Sequence, residues 1–170
     1  MTTTSTPGLA RFNALEENAA RAALREVCAS ATWAGHVLAA RPYATGEDLY
    51  TTSDTALAGL TADGLGEAMA GHPPIGRPEP GDPTSAREQG GLAGASAALR
   101  ADLLELNLAY QEKFGHVFLI CATGRTGEQM RDALRARIGN APEREREIVR
   151  TELGKINRIR LARLLEPEED

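Results

Sequence analysis

Apolar residues recur at three- and four-residue spacing along much of this chain, which is the pattern of helices with one buried face. One such stripe predicts a helix that runs to about Lys113 and is ended by Gly115. Its buried face consists of Leu99, Leu103, Leu106 and Tyr110. Another predicts a last helix that opens after Asn140 and runs to about Leu165; its members are Val149, Leu153, Ile156, Arg160 and Leu164. We therefore expect an all-α fold, a single-domain bundle of about seven to nine helices.

Potential capping residues place the first helix boundaries. Asn13 followed by Glu16 has the spacing of a capping pair, which predicts that the first helix begins at Asn13. Residues 1–10 are then expected to be frayed. Ser30 is the expected cap of a second helix, which Pro42 stops.

The middle of the chain changes character, because glycine and proline crowd into one short stretch. Its members are Gly71, Pro73, Pro74, Gly76, Pro78, Pro80, Gly81 and Pro83. Helices are expected on its N-terminal side, near 47–58 and 62–70. No regular element is compatible with that density of Gly and Pro, and long loops of this kind are often functional. Helix resumes near Thr84, with a break at Gly90 and Gly91.

Two shorter features follow the long helix. Val117–Cys121 is an apolar run that is either a buried extended segment or the start of a helix. Thr126 with Gln129 has the spacing of a capping box and predicts a helix that extends to about Ile138.

Composition and charge narrow the possible functions. Hydrophobic residues make up 42% of the chain and charged residues 25%, as in an ordinary globular protein. We expect one domain over residues 1–170, with an ordered core at about 12–165 and a frayed end at 166–170. The net charge of -5 and the aromatic content of 4% do not favour nucleic-acid binding. There is no long apolar run for a membrane span, and Cys28 and Cys121 are read as reduced thiols of a cytoplasmic protein.

His72 is the first candidate for chemistry. The following proline holds His72 on extended backbone, and an imidazole can donate or accept a proton near neutral pH. The alternative is an ordinary histidine on an exposed loop.

A polar helix face is the second candidate. Ser85, Glu88, Gln89 and Leu92 share a face at helical spacing. With Leu92 directed to the core, Glu88 and Gln89 are drawn towards apolar surroundings and are suited to an imide-like ligand. The alternative is a common capping arrangement, in which Ser85 is the cap and Glu88 satisfies the first turn.

Arg160 is the third candidate, because it is the one charge on the apolar stripe of the last helix. A buried guanidinium needs an anion, either a protein carboxylate such as Glu88 or a carboxylate of a ligand. The alternative is an arginine whose stem packs while its head reaches water. The histidines and cysteines show no metal-ligand spacing, and Gly124–Gly127 forms neither a Walker loop nor a dinucleotide fingerprint, so neither a metal nor an organic cofactor is expected.

The order and spacing of six motifs resemble the 2-oxo-4-hydroxy-4-carboxy-5-ureidoimidazoline (OHCU) decarboxylase family. These motifs are His72-Pro-Pro-Ile-Gly76, Ser85-x-x-Glu88-Gln89, Asn107-x-x-Tyr110-x-x-Lys113-Phe114-Gly115, Phe118-Leu119-Ile120-Cys121-Ala122, Arg137-x-Gly-Asn140 and Arg160-Leu161. The resemblance extends from about Phe12 to Leu165. It departs at Pro74, where the family more often has arginine.

The resemblance implies an all-helical homodimer that converts OHCU to (S)-allantoin in urate breakdown without a cofactor. It implies His72 as the proton-transfer residue, Glu88 as its acidic partner and Arg160 near the substrate. The substrate-binding residues that it implies are Pro73, Ser85, Ala86, Arg87, Glu88, Gln89, Phe118, Leu119, Ile120, Cys121 and Ala122.

The residues fit this chemistry, since the C=N bond of the ring can accept the electrons that decarboxylation releases. Main-chain N–H groups of Leu119–Ala122 could bind ring oxygens if that segment is irregular. Two alternatives stay open: a hydrolase of a related ureide, and a helical binding domain without activity.

Overall fold

The computed structural model describes residues 6–72 and 88–167, and in these two ranges the regular structure is helical, without a strand. This confirms the expected all-α class. The α-helices are α1 (Pro7–Ala14), α2 (Glu17–Val27), α3 (Ala31–Ala39), α4 (Gly46–Ala58), α5 (Ala62–Ala70), α6 (Ala97–Phe114), α7 (Gly127–Arg137) and α8 (Pro142–Leu164), and a 3-10 turn covers Gly90–Leu92.

Residue contacts divide the chain into two units. Unit 1 combines Met1–Ala68 with Gly154–Asp170, and unit 2 is Met69–Leu153. Both α5 and α8 contribute residues to each unit.

The start of unit 1 differs from the sequence-based expectation. Helix α1 begins at Pro7, with Thr6 as its cap, so the prediction that residues 1–10 are frayed is wrong from residue 6 onward. Gly8 explains why this segment is held, because a Cβ at this position would collide with the carbonyl group of Leu165. The close approach anchors α1 on the residue that follows α8.

The predicted capping pair of Asn13 and Glu16 is also wrong. Asn13 lies within α1, and its side-chain amide makes a pair of hydrogen bonds, at 2.9 and 2.8 Å, with the backbone of Tyr43. Glu16 is itself the cap of α2, since its carboxylate accepts from the N–H groups of Asn18 and Ala19. Both Asn13 and Glu16 therefore hydrogen-bond to backbone groups, Asn13 at Tyr43 and Glu16 at the start of α2.

The other caps form as predicted. The Ser30 hydroxyl accepts from the N–H of Trp33 at 3.1 Å and starts α3, which ends before the cis peptide bond between Arg41 and Pro42. In unit 2, the hydroxyl of Thr126 and the amide of Gln129 form the reciprocal pair of a capping box at the start of α7.

Helix α6 ends as predicted at Gly115, which has φ +79°, a left-handed conformation that glycine adopts without strain. Its predicted apolar face packs in the core of unit 2, although Leu106 is only partly buried. The buried members of this core are Leu92, Leu99, Leu103, Tyr110, Phe118, Ile120, Ala122, Met130 and Leu134.

None of the helices in the described ranges has an apolar stretch sufficient to cross a membrane.

Candidate active site

The predicted site residues fall into three groups. Pro73, Ser85, Ala86 and Arg87 lie outside the described residues, as do Pro74 and most of the Pro/Gly-rich loop. His72, Glu88, Gln89 and Phe118–Ala122 belong to unit 2. Arg160 belongs to unit 1.

His72 lies two residues beyond the end of α5 and is half-buried. Its backbone N–H donates to the carbonyl of Met69 at 3.0 Å, which ties the residue to the last turn of that helix. The pairing of His72 with Glu88 stays a prediction.

Glu88 and Gln89 are both buried, with 9% and 7% of their surface exposed. Gln89 precedes the 3-10 turn, and Leu92 at the end of that turn packs in the core of unit 2. Both polar side chains are therefore buried, whereas the substrate-binding role that the resemblance implies for them stays a prediction. A buried carboxyl and a buried amide in such a place are suited to bind a polar ligand.

The backbone of Gly91 packs against the carbonyl of Arg125, just after the Phe118–Ala122 segment. A Cβ on Gly91 would collide with this oxygen, so the close approach requires glycine. The absence of a side chain therefore brings the 3-10 turn that follows Gln89 against the loop that follows Ala122. Leu92 of this turn and Phe118 also belong to one core cluster.

Replacing Gly91 with Ala is expected to destabilise the protein by about 1–3 kcal/mol, because the backbone must shift to admit the methyl group. The same shift should lower activity, because it displaces the turn that directly follows Glu88 and Gln89. The neighbouring Gly90 is a matched control, since nothing lies within 4 Å of a Cβ at that position. Urea unfolding of both variants tests this: equal stability of Gly91→Ala and Gly90→Ala would contradict the close-packing argument.

The Phe118–Ala122 segment is buried and has no regular secondary structure. The side chains of Phe118, Ile120 and Ala122 pack in the core cluster of unit 2, whereas the intervening Leu119 and Cys121 are buried outside it. This alternation is typical of an extended backbone. Of the two predictions for the apolar run, the buried extended segment is the correct one.

Two arginines bind alternate carbonyls of this segment. Arg137 Nη1 donates to the carbonyl of Leu119 at 2.8 Å, and Arg125 Nε donates to that of Cys121 at 3.1 Å. In an extended chain, successive residues direct their N–H and C=O groups to opposite edges. The arginines therefore occupy one edge, and the N–H groups of Leu119 and Cys121 share it, whereas the carbonyl of Ile120 lies on the other. The peptide N–H that follows each bound carbonyl points the opposite way, so the N–H groups of Ile120 and Ala122 lie on the edge away from the arginines.

Both arginines are themselves held by carboxylates of α8. Arg137 Nε donates to Glu145 Oε1 at 2.8 Å, and Arg125 Nη2 lies 3.4 Å from Glu152 Oε1. Tyr110 also donates to Glu145 Oε1, at 2.6 Å. Burial and the Glu145 carboxylate raise the pKa of Tyr110 above its usual value of 10.0, so the phenol stays protonated and donates.

Sequence reasoning missed these carboxylates. Glu145 precedes Val149 by one turn, and Glu152 lies beside Leu153, and both side chains are buried. The expectation that Arg160 is the one charge on the buried face of the last helix is therefore wrong. The burial of Glu145 could have been predicted, because Glu145 lies at helical spacing from Val149 in the apolar stripe of the last helix.

Arg160 is half-buried and donates from Nη1 to the carbonyl of Val27 at 3.0 Å, at the end of α2. It lies near the thiol of Cys28. Burial raises the pKa of this thiol, and the positive charge of Arg160 opposes the rise. In the described ranges, no group of three or more His, Cys, Asp or Glu side chains is arranged to hold a metal ion.

The model of the OHCU decarboxylase family matches residues 13–162 of this chain. The chain belongs to the OHCU decarboxylase family. The match includes every described residue of the site.

Three comparisons show how this family member resembles known proteins. It is 35% identical over 144 residues to the "Uric acid degradation bifunctional protein TTL" of Arabidopsis thaliana, a match that covers 81% of this chain but 44% of that relative. It is 31% identical over 146 residues to the "2-oxo-4-hydroxy-4-carboxy-5-ureidoimidazoline decarboxylase" of Amia calva, with 82% and 81% covered. A crystal structure of "OHCU decarboxylase in the presence of (S)-allantoin" superposes with a TM-score of 0.76 at 30% identity, over 89% of this chain and 99% of that one.

Proposed function

We propose that this chain decarboxylates OHCU to (S)-allantoin in urate breakdown, without a metal or organic cofactor. The observation that carries this proposal is the family match, which spans nearly the whole chain and includes a decarboxylase relative covered over 81% of its length. The buried Glu88 and Gln89, and the N–H groups of the extended segment on the edge away from the arginines, support the proposal, because such groups can bind a small planar polar ring.

The reaction places two demands on the protein. The bond from the ring carbon to the carboxylate breaks and carbon dioxide leaves, while the electron pair moves towards the adjacent C=N bond. The hydroxyl on the same carbon becomes a carbonyl as its proton passes to the ring nitrogen of that C=N bond, and a second proton is delivered to the carbon that carries the ureido group. The site must therefore stabilise developing negative charge and deliver one proton to one face.

The candidate residues divide these tasks. His72 with Glu88 handles the hydroxyl or ring proton, and Arg160 binds an anionic group of the substrate. Backbone N–H groups at Ile120 and Ala122 donate to ring oxygens. Fixed dipoles of this kind stabilise charge without reorganising during the reaction.

The proposal extends to assembly and organisation. We propose a cytoplasmic homodimer, as the family resemblance implies. Because the family model runs across both units, we also propose that they fold as one domain over residues 1–170, although the Arabidopsis relative is covered over 44% of its length.

Circular dichroism of the product tests the activity. OHCU is generated from urate by urate oxidase and the following hydrolase, with and without this protein. Spontaneous decay gives racemic allantoin, so the sign of the dichroism, rather than total product, reports enzymatic turnover. We expect rapid appearance of the (S)-allantoin signal. A flat signal with folded protein would contradict the decarboxylase and favour a binding domain, while ammonia release would favour a ureide hydrolase.

A further inference from the structure

We infer that Arg137 is a positioning residue of this reaction, which sets the backbone of the substrate-binding segment without touching the substrate. The inference rests on the proposed function. Arg137 is buried and lies at the end of α7, and its Nη1 donates to the carbonyl of Leu119 in the middle of the segment.

The orientation of the Arg137 guanidinium is fixed from three sides. Its Nε donates to Glu145 Oε1 at 2.8 Å, its Nη1 donates to Leu119, and its carbon Cζ lies 4.4 Å from the ring centroid of Phe118. A planar guanidinium presents separate nitrogens to two acceptors in a rigid fork, whereas lysine has one nitrogen on a flexible stem, whose donors rotate. The Leu119 carbonyl is therefore held in one direction.

Glu145 is in turn fixed by further partners. It is fully buried, Tyr110 donates to its Oε1 and Asn140 donates to its Oε2 at 3.1 Å. Lys113 donates to the carbonyls of Ile138 and Asn140 and so holds the turn between α7 and α8. Tyr110 and Asn140 thus fix Glu145, and Glu145 fixes the arginine that binds the Leu119 carbonyl.

The consequence for the site follows from the planarity of the peptide group. When the Leu119 carbonyl is held on one edge, the N–H of Ile120 in the same peptide plane must point to the other edge. Loss of the Arg137 hydrogen bond frees the rotation of this plane, so the donor is displaced from the ligand. Catalysis and ligand binding are sensitive to such small displacements.

Titration calorimetry with (S)-allantoin as the probe separates positioning from stability. Arg137→Lys keeps the charge but replaces the rigid fork by one nitrogen on a flexible stem, so the Leu119 carbonyl is no longer held in one direction. We expect its Kd for allantoin to rise about two- to tenfold, in line with one lost hydrogen bond, with a stoichiometry equal to that of the wild type. The control is Leu103→Val, a core change in the same unit that lowers stability and leaves Kd unchanged. A normal Kd for Arg137→Lys, or a reduced stoichiometry alone, would overturn the inference.

A second variant guards against misfolding. The triple change Arg137→Met, Glu145→Leu and Tyr110→Phe replaces the whole polar group by apolar residues of similar size, which buried ion pairs often tolerate. We expect a folded protein with the same weakened binding and a reduced kcat. If this variant kept the Kd and kcat of the wild type, that result alone would refute the positioning role of Arg137. If the wild type neither binds allantoin nor turns over OHCU, the proposed function fails first, so the two failures are distinguishable.

Discussion

Replacing His72 with Ala is expected to lower kcat/KM by a factor of about 10² to 10⁴, the usual contribution of a general acid or base. His72 is half-buried just beyond α5, and alanine retains the backbone hydrogen bond to Met69, so the substitution should leave the fold intact. The initial rate of the (S)-allantoin dichroism signal measures the effect.

The matched control for this experiment is His36→Ala. His36 lies exposed on α3, and alanine is a better helix former, so neither activity nor stability should fall. If His72→Ala retained the activity of the His36→Ala control, proton transfer would have to be assigned to another group.

The second large effect concerns stability. Glu145→Ala leaves the Arg137 guanidinium buried without its carboxylate, which is expected to cost about 3–5 kcal/mol of unfolding free energy. It also removes the acceptor of the Tyr110 hydroxyl. The midpoint of urea unfolding, followed by far-ultraviolet circular dichroism, gives the loss.

Glu147→Ala is the control on the same helix. The Glu147 side chain is 71% exposed, and its ion pair with Arg150 spans 4.0 Å. Its removal should therefore change the free energy of unfolding by less than about 0.5 kcal/mol. Comparable midpoints for the two alanine variants would show that the buried carboxylate has no special part in stabilising unit 2.

Local rules predicted the elements of this fold well wherever a boundary depends on neighbouring residues. Gly115 and the Thr126–Gln129 pair were identified because a left-handed glycine and a capping box are complete within a few residues. The spacing of Asn13 and Glu16 satisfied the same rule but failed, because Asn13 has a distant competing partner in the backbone of Tyr43.

The sequence predicted that two polar residues of the candidate site are buried, but not how the extended segment is held. Glu88 and Gln89 were placed correctly in buried surroundings. The sequence did not indicate that a buried Arg137, held by Glu145, binds the backbone of the Phe118–Ala122 segment, since charged residues are normally exposed. The spacing of Glu145 from the apolar stripe indicates its burial, but its pairing with Arg137 joins two helices, and no sequence spacing specifies that pairing.

The single tryptophan of the chain gives unit 1 an optical signal of its own. Trp33 is fully buried and its indole N–H donates to the carbonyl of Ser53 at 3.2 Å, within that unit. Its fluorescence therefore reports the packing of unit 1, whereas helical dichroism reports both units. In Glu145→Ala, where the lesion lies in unit 2, a fluorescence transition that moves together with the dichroism transition would show that the two units unfold cooperatively, as one domain does.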